Sequence, residues 1–130
     1  GQAPQVKGFN SNVEEAEEIR KMIGIFNTSS HQSMGIICKT GEQAESLHQE
    51  LNLKDVHLLT ADSTSLTHGV IITTVHLSKG LEFDEVIIPF VSCRNYKTEV
   101  DRSLLYIACT RAMHQLTLTY AKEKTTFIVL

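Results

Sequence analysis

Apolar positions along the chain alternate between short continuous runs and longer stretches at helical spacing. Gln5 to Phe9 opens with a brief apolar and polar alternation, and Ser11-Asn12-Val13-Glu14-Glu15 then carries a capping-box pattern in two registers. The spacing of Val13, Ala16, Ile19, Ile23 and Phe26 predicts a helix to about Phe26 with one apolar face. Glu14, Glu15, Glu17 and Glu18 fill its first two turns, where acids favour the positive end of the helix dipole, and they are expected to face water. After a polar loop from Asn27 to Ser33, the run Met34 to Cys38 fits a buried strand. Thr40-Gly41-Glu42-Gln43 offers a second capping box, leading a helix through Leu47 and Leu51, and Val56 to Leu59 reads as another short strand.

Thr60 to Gly69 is polar and turn-rich, and Val70 to Val75 is strongly β-branched, as a central strand requires. A compact turn, His76-Leu77-Ser78-Lys79-Gly80, leads through Leu81 to Asp84 into an apolar run from Val86 to Val91, with Pro89 marking its end. A linker from Ser92 to Val100 precedes a helix predicted from about Asp101 to Met113, its core face formed by Leu104, Leu105, Ile107, Ala108 and Met113. Gln115 to Tyr120 alternates polar and apolar, as a strand with one less buried face would, and Lys122 to Leu130 fits either a strand or a short helix. Strands and amphipathic helices in alternation argue for an α/β fold with a parallel sheet covered on both faces. Residues 1–130 are read as one domain.

Composition narrows the class. The 130 residues are 42% hydrophobic and 21% charged, which excludes disordered and fibrous proteins. No apolar run approaches the roughly 20 residues needed to cross a bilayer, and Gly1-Gln2-Ala3-Pro4 lacks the parts of a signal peptide, so a cytoplasmic protein without membrane contact is expected. Cys38, Cys93 and Cys109 have no metal-ligand spacing, so neither a disulfide framework nor a metal site is expected. A formal charge of -3 is not that of a stand-alone nucleic-acid binder, so any such contact must be local.

Two segments carry candidate chemistry, and both are expected beyond the carboxyl ends of the strands, where open α/β sheets bind ligands. In Thr74 to Phe83, Thr74 and His76 alternate with Val75 and are expected on one side of the strand end, where hydroxyl and imidazole can donate to phosphate oxygens. Lys79 adds a point charge, Gly80 permits positive φ or close approach to a ligand, and Glu82 can accept from a sugar hydroxyl. In Leu104 to Ala112, Arg111 stands near the end of an apolar helix, where it can reach a phosphate bidentately or snorkel to water.

Thr74-x-His76-x-x-Lys79-Gly80-Leu81-Glu82-Phe83-Asp84 resembles motif V of the UvrD/Rep family of superfamily-one helicases, and Leu104 to Ala112 resembles their motif VI. Ile36 to Gln43 is similar to the strand-to-helix piece before them, with Lys39 where the family often has Arg. The resemblance implies a three-layer RecA-like, P-loop-NTPase-like fold, and the second motor domain of an ATP-dependent DNA helicase. By the resemblance, Arg111 is the catalytic arginine that meets the γ-phosphate of ATP, and Gly80 and Glu82 join it around the nucleotide. Thr74, His76 and Lys79 lie by the same token towards single-stranded DNA.

Absences refine the expectation. No phosphate-cradling G-x-x-x-x-G-K-[ST] motif and no acidic Walker B pair occur. The resemblance places those groups, with the magnesium ligands, on a first RecA-like domain of the same full-length chain, and this chain alone is expected to be inactive. The missing phosphate loop also argues against a small kinase or GTPase. About eighteen residues separate Leu51 from Val70, too few for an inserted domain, as in the compact helicase IV-like, HelD-like or RecD-like variants. The alternative is a degenerate RecA-like module that binds a protein partner such as RNA polymerase.

Overall fold

The computed structural model describes residues 2–61 and 68–129. In chain order the elements are β1 (Gln5–Phe9), α1 (Asn12–Asn27), β2 (Ser33–Cys38), α2 (Gly41–Leu51), β3 (Val56–Leu58), β4 (Gly69–Thr74), β5 (Phe83–Ile88), α3 (Glu99–Cys109) and β6 (Ala112–Ala121). The six strands form one sheet in the order β1-β6-β5-β2-β4-β3, and every neighbouring pair is parallel. This is the three-layer α/β arrangement that the pattern predicted. Residues 62–67, within the stretch read as turn-rich, lie outside the described residues. Among the described residues no helix is long and apolar enough to cross a membrane.

Strand alternation divides the core into two layers. Met34, Ile36 and Cys38 of β2, with Val70 and Ile72 of β4, pack against Ile19, Ile23 and Phe26 of α1 and Ala44, Leu47 and Leu51 of α2. Ile37 and Ile71 point the other way, towards Phe83, Val86, Ile88 and Leu118 and the Leu105 and Ala108 face of α3. Gly35 leaves room for this layer, since a Cβ there would lie 2.4 Å from the Phe83 ring. Both proposed caps of the first two helices form. Ser11 Oγ accepts from the Glu14 N–H, and Thr40 Oγ1 accepts from the Gln43 N–H in a full capping box.

Four expectations change. Glu15 does not face water; it is fully buried, and its Oε2 accepts from the Phe90 N–H at 2.8 Å and from Thr119 Oγ1 at 2.6 Å. Phe90, which follows β5 at φ 62°, gives its N–H to this carboxylate, so a buried backbone donor is satisfied by α1. Val13, by contrast, is 60% exposed. The third helix starts earlier, capped by Thr98, and stops at Cys109 instead of Met113. Thr110 and Arg111 close its end with turn hydrogen bonds, Ala112 pairs with Phe83 to begin β6, and Ile107 and Met113 are exposed. Lys122 to Val129 is neither strand nor helix, and its only ladder contact among the described residues is an isolated bridge between Lys124 and Ser92.

Candidate functional site

Cys38 and Thr74 are paired at the carboxyl ends of β2 and β4, and the chain leaves β4 there. It does not continue as a strand. The Ser78 N–H donates to the Thr74 carbonyl at 2.9 Å, Thr74 Oγ1 accepts from the Leu77 N–H at 3.2 Å, and Ser78 Oγ donates to the Val75 carbonyl at 2.7 Å. Residues 75–80 therefore form a helical turn, with Thr74 in the place of an N-cap. Val75 and Ser78 face the core, while His76 and Lys79, three residues apart, share the opposite side. Gly80 closes the turn at φ 81°, the left-handed region that glycine enters without strain.

This turn overturns the expected pairing of Thr74 with His76, because the period of two ends at Thr74. His76 and Lys79 line a cleft of about 220 Å³ with Val75, Leu104, Ile107 and Arg111. Thr74 instead lines a separate groove of about 310 Å³ with Gly41, Ala44, Leu58 and Leu77. Neither Gly80 nor Glu82 lines the cleft, and Glu82 is exposed just beyond the turn.

Arg111 also stands elsewhere than expected. Helix α3 runs back against the direction of the strands, so its last turn reaches the amino ends of β5 and β6. There the Phe83 N–H donates to the Arg111 carbonyl at 2.9 Å. The cleft thus lies on the face of the sheet, between α3 and the turn that crosses from β4 to β5. Arg111 Nε is buried without a hydrogen-bond partner. A buried donor in that condition costs free energy unless a ligand or water completes it. Among the described residues no carboxylate lines this cleft, which combines a guanidinium, an ammonium and an imidazole with apolar walls, a donor set suited to phosphate oxygens. Ile107, expected in the core, is exposed on this wall, while Leu104 packs partly buried against the core as expected and also lines the cleft.

At the other end of α3, the Asp101 carboxylate accepts three hydrogen bonds. Its Oδ2 accepts from the Lys97 N–H at 3.0 Å and the Thr98 N–H at 3.1 Å, and its Oδ1 accepts from Lys39 Nζ at 3.1 Å. The Lys97 N–H above all, then the Thr98 N–H and Lys39, hold its carboxyl well below the usual range. Lys39 Nζ also donates to the Asn95 carbonyl and lies 5.5 Å from the Tyr96 ring centroid. Sequence reading had singled out Lys39 without assigning this bond.

Known proteins share this fold. A family model of the UvrD-like helicase C-terminal domain matches residues 69–119, from β4 into β6. The C-terminal domain of a possible DNA helicase from Lactobacillus plantarum WCFS1 superposes with a TM-score of 0.87 at 30% identity, covering 98% of this chain and 79% of that one. The chain belongs to the UvrD-like helicase C-terminal domain family. The RecB subunit of the RecBCD enzyme from Chlamydia pneumoniae is 33% identical over 116 residues, covering 82% of this chain. The chain spans 10% of that relative's length. The C-terminal domain of the DEAD-box protein Dbp5 has a TM-score of 0.65 at 13% identity, covering 92% of this chain and 76% of that one, a likeness of fold alone. The family and its neighbours establish a RecA-like helicase C-terminal domain.

Proposed function

We propose that this UvrD-like domain is the second motor domain of a longer ATP-dependent DNA helicase or translocase, and that the cleft between α3 and the 75–80 turn is its half of the nucleotide site. The observation that carries the reading is the buried, unpartnered Nε of Arg111 in a cleft that also gathers His76 and Lys79 and, among the described residues, no carboxylate. Arg111 is the catalytic residue in this reading, donating to the terminal phosphate where charge develops. Glu82, exposed beyond the turn, accepts from the ribose, and Gly80 sets the bend that brings it there. ATP, when bound, supplies the phosphoanhydride whose cleavage powers movement. Its magnesium ligands and phosphate loop belong to the first RecA-like domain of the same full-length chain.

Single-stranded DNA runs, in this proposal, along the side on which Thr74 opens the groove beside α2. His76 and Lys79 stand between that groove and Arg111, on the turn that Thr74 caps. Tightening or loosening one helical turn then couples the grip on the strand to the state of the cleft. The test is single-strand-stimulated ATP hydrolysis by the full-length protein, wild type beside Arg111→Ala. A loss of roughly 10³-fold or more in turnover with nucleotide binding kept supports the role. Unchanged turnover rejects it and favours a module that binds a protein partner such as RNA polymerase.

A further inference from the structure

Helix α3 is held at two opposite edges of the sheet. Its last turn is tied at the amino end of β5 through the Phe83 N–H and the Arg111 carbonyl. Its first turn is tied at the carboxyl end of β2 through Asp101 and Lys39, which directly follows the last β2 residue. Between these ties only Leu105 and Ala108 of the helix are buried hydrophobic residues, while Val100, Tyr106 and Ile107 are exposed. The 11-residue helix is a lever of about 16 Å. Leu104 and Cys109 join the Leu105 and Ala108 seam as partly buried side chains, so packing holds the length of the helix while the two ties fix its ends.

We propose that Lys39 and Asp101 form a latch that positions Arg111 and the Leu104 and Ile107 wall of the cleft against His76 and Lys79. The inference rests on the role proposed for Arg111, and it assigns to both latch residues an action through that arginine and not on the nucleotide itself. Several features favour it. Lys39 directly follows Cys38, which pairs with Thr74 of β4, so its backbone is anchored at the carboxyl end of a central strand. Its three contacts, to Asp101, the Asn95 carbonyl and the Tyr96 ring, all lie in the segment that enters α3. Asp101 in turn joins the latch to the helix cap, since its own N–H donates to Thr98 Oγ1 while it accepts from the Thr98 N–H. Releasing the latch therefore loosens the cap and the tilt together. Lys39 is also committed inside the domain, where a cation serving a ligand would be left open.

The test is a double-mutant cycle on single-strand-stimulated ATP turnover by the full-length protein. Lys39→Met and Asp101→Asn should each lower kcat by roughly ten-fold or more while KM for ATP moves little, and Lys39→Arg should restore most of the loss. In an Arg111→Ala background the same latch substitutions should have almost no further effect. That non-additivity separates positioning of Arg111 from general weakening of the fold, which would lower turnover in either background. Full wild-type turnover in both Lys39→Met and Asp101→Asn, or a further ten-fold loss in the Arg111→Ala background, overturns the latch. If Arg111→Ala itself leaves turnover unchanged, the reading of the cleft fails first, and the latch fails with it.

Discussion

Replacing Glu15 by Leu keeps the bulk of a fully buried side chain but removes the acceptor of two donors, the Phe90 N–H at 2.8 Å and the Thr119 hydroxyl at 2.6 Å. Each donor left without a partner costs about 1–3 kcal/mol, and part of the sum is returned because Leu carries no charge to bury. A net loss of about 2–4 kcal/mol follows. At about 2.1 cal/mol/K per residue, the unfolding entropy of 130 residues is about 0.27 kcal/mol/K, so Tm should fall by about 7–15 °C. Glu15→Gln keeps an oxygen for both donors and should stay within about 1 kcal/mol of wild type. Burial pushes the Glu15 carboxyl up from its ordinary value of 4.5, against the hydrogen bonds from Thr119 and then Phe90. The folded chain then holds this proton more tightly than the unfolded chain. Stability from this group is complete below pH 4.5 and is lost as pH rises through the raised value, and Glu15→Gln should remove that slope. Thermal melts followed by circular dichroism between pH 4 and 8 read both effects. A Glu15→Leu variant that melts with wild type, or a Gln variant as weak as Leu, would show that the two hydrogen bonds to Glu15 do not stabilise the fold.

Two further outcomes follow from the core. Gly35→Ala should cost about 1–3 kcal/mol, since its methyl would meet the buried Phe83 ring at 2.4 Å, and a melt at the wild-type temperature would show that the ring moves freely. Burial, helped by the nearby charge of Glu15, pushes the Cys38 thiol up to about 12. Cys38 should stay unmodified by iodoacetamide at pH 8 while the protein is folded, and labelling as fast as that of the half-buried Cys93 would contradict this.

Much of the fold was legible because burial and period act locally. The β-branched run ending at Thr74 and the capping box at Thr40 each needed only neighbours in sequence to declare themselves, and both elements formed close to the expected bounds. The failures share another cause. Buried Glu15 accepts from the N–H of Phe90, 75 positions away, and no spacing within α1 records that partner. His76 left the side of Thr74 because a threonine cap converted the strand end into a helical turn, and the Thr-x-x-x-Ser spacing of Thr74 and Ser78 offered only a weak local signal. Arg111 appeared at the amino edge of the sheet because a helix that links parallel strands must run back along them, a consequence of topology that the motif alone did not convey. The candidate residues His76, Lys79 and Arg111 do meet, but through a face of the sheet and not at its end.

The role proposed for Arg111 is to complete a nucleotide site across two domains by stabilising charge that develops only during phosphoryl transfer. Its most direct test compares the affinities of the full-length protein for ADP and for ADP with aluminium fluoride, a mimic of the transferring phosphoryl group, in wild type and Arg111→Ala. The affinity for the mimic should fall by roughly 10²-fold or more, while the affinity for ADP should change by less than about three-fold. Equal changes in both affinities, or none in either, would contradict it.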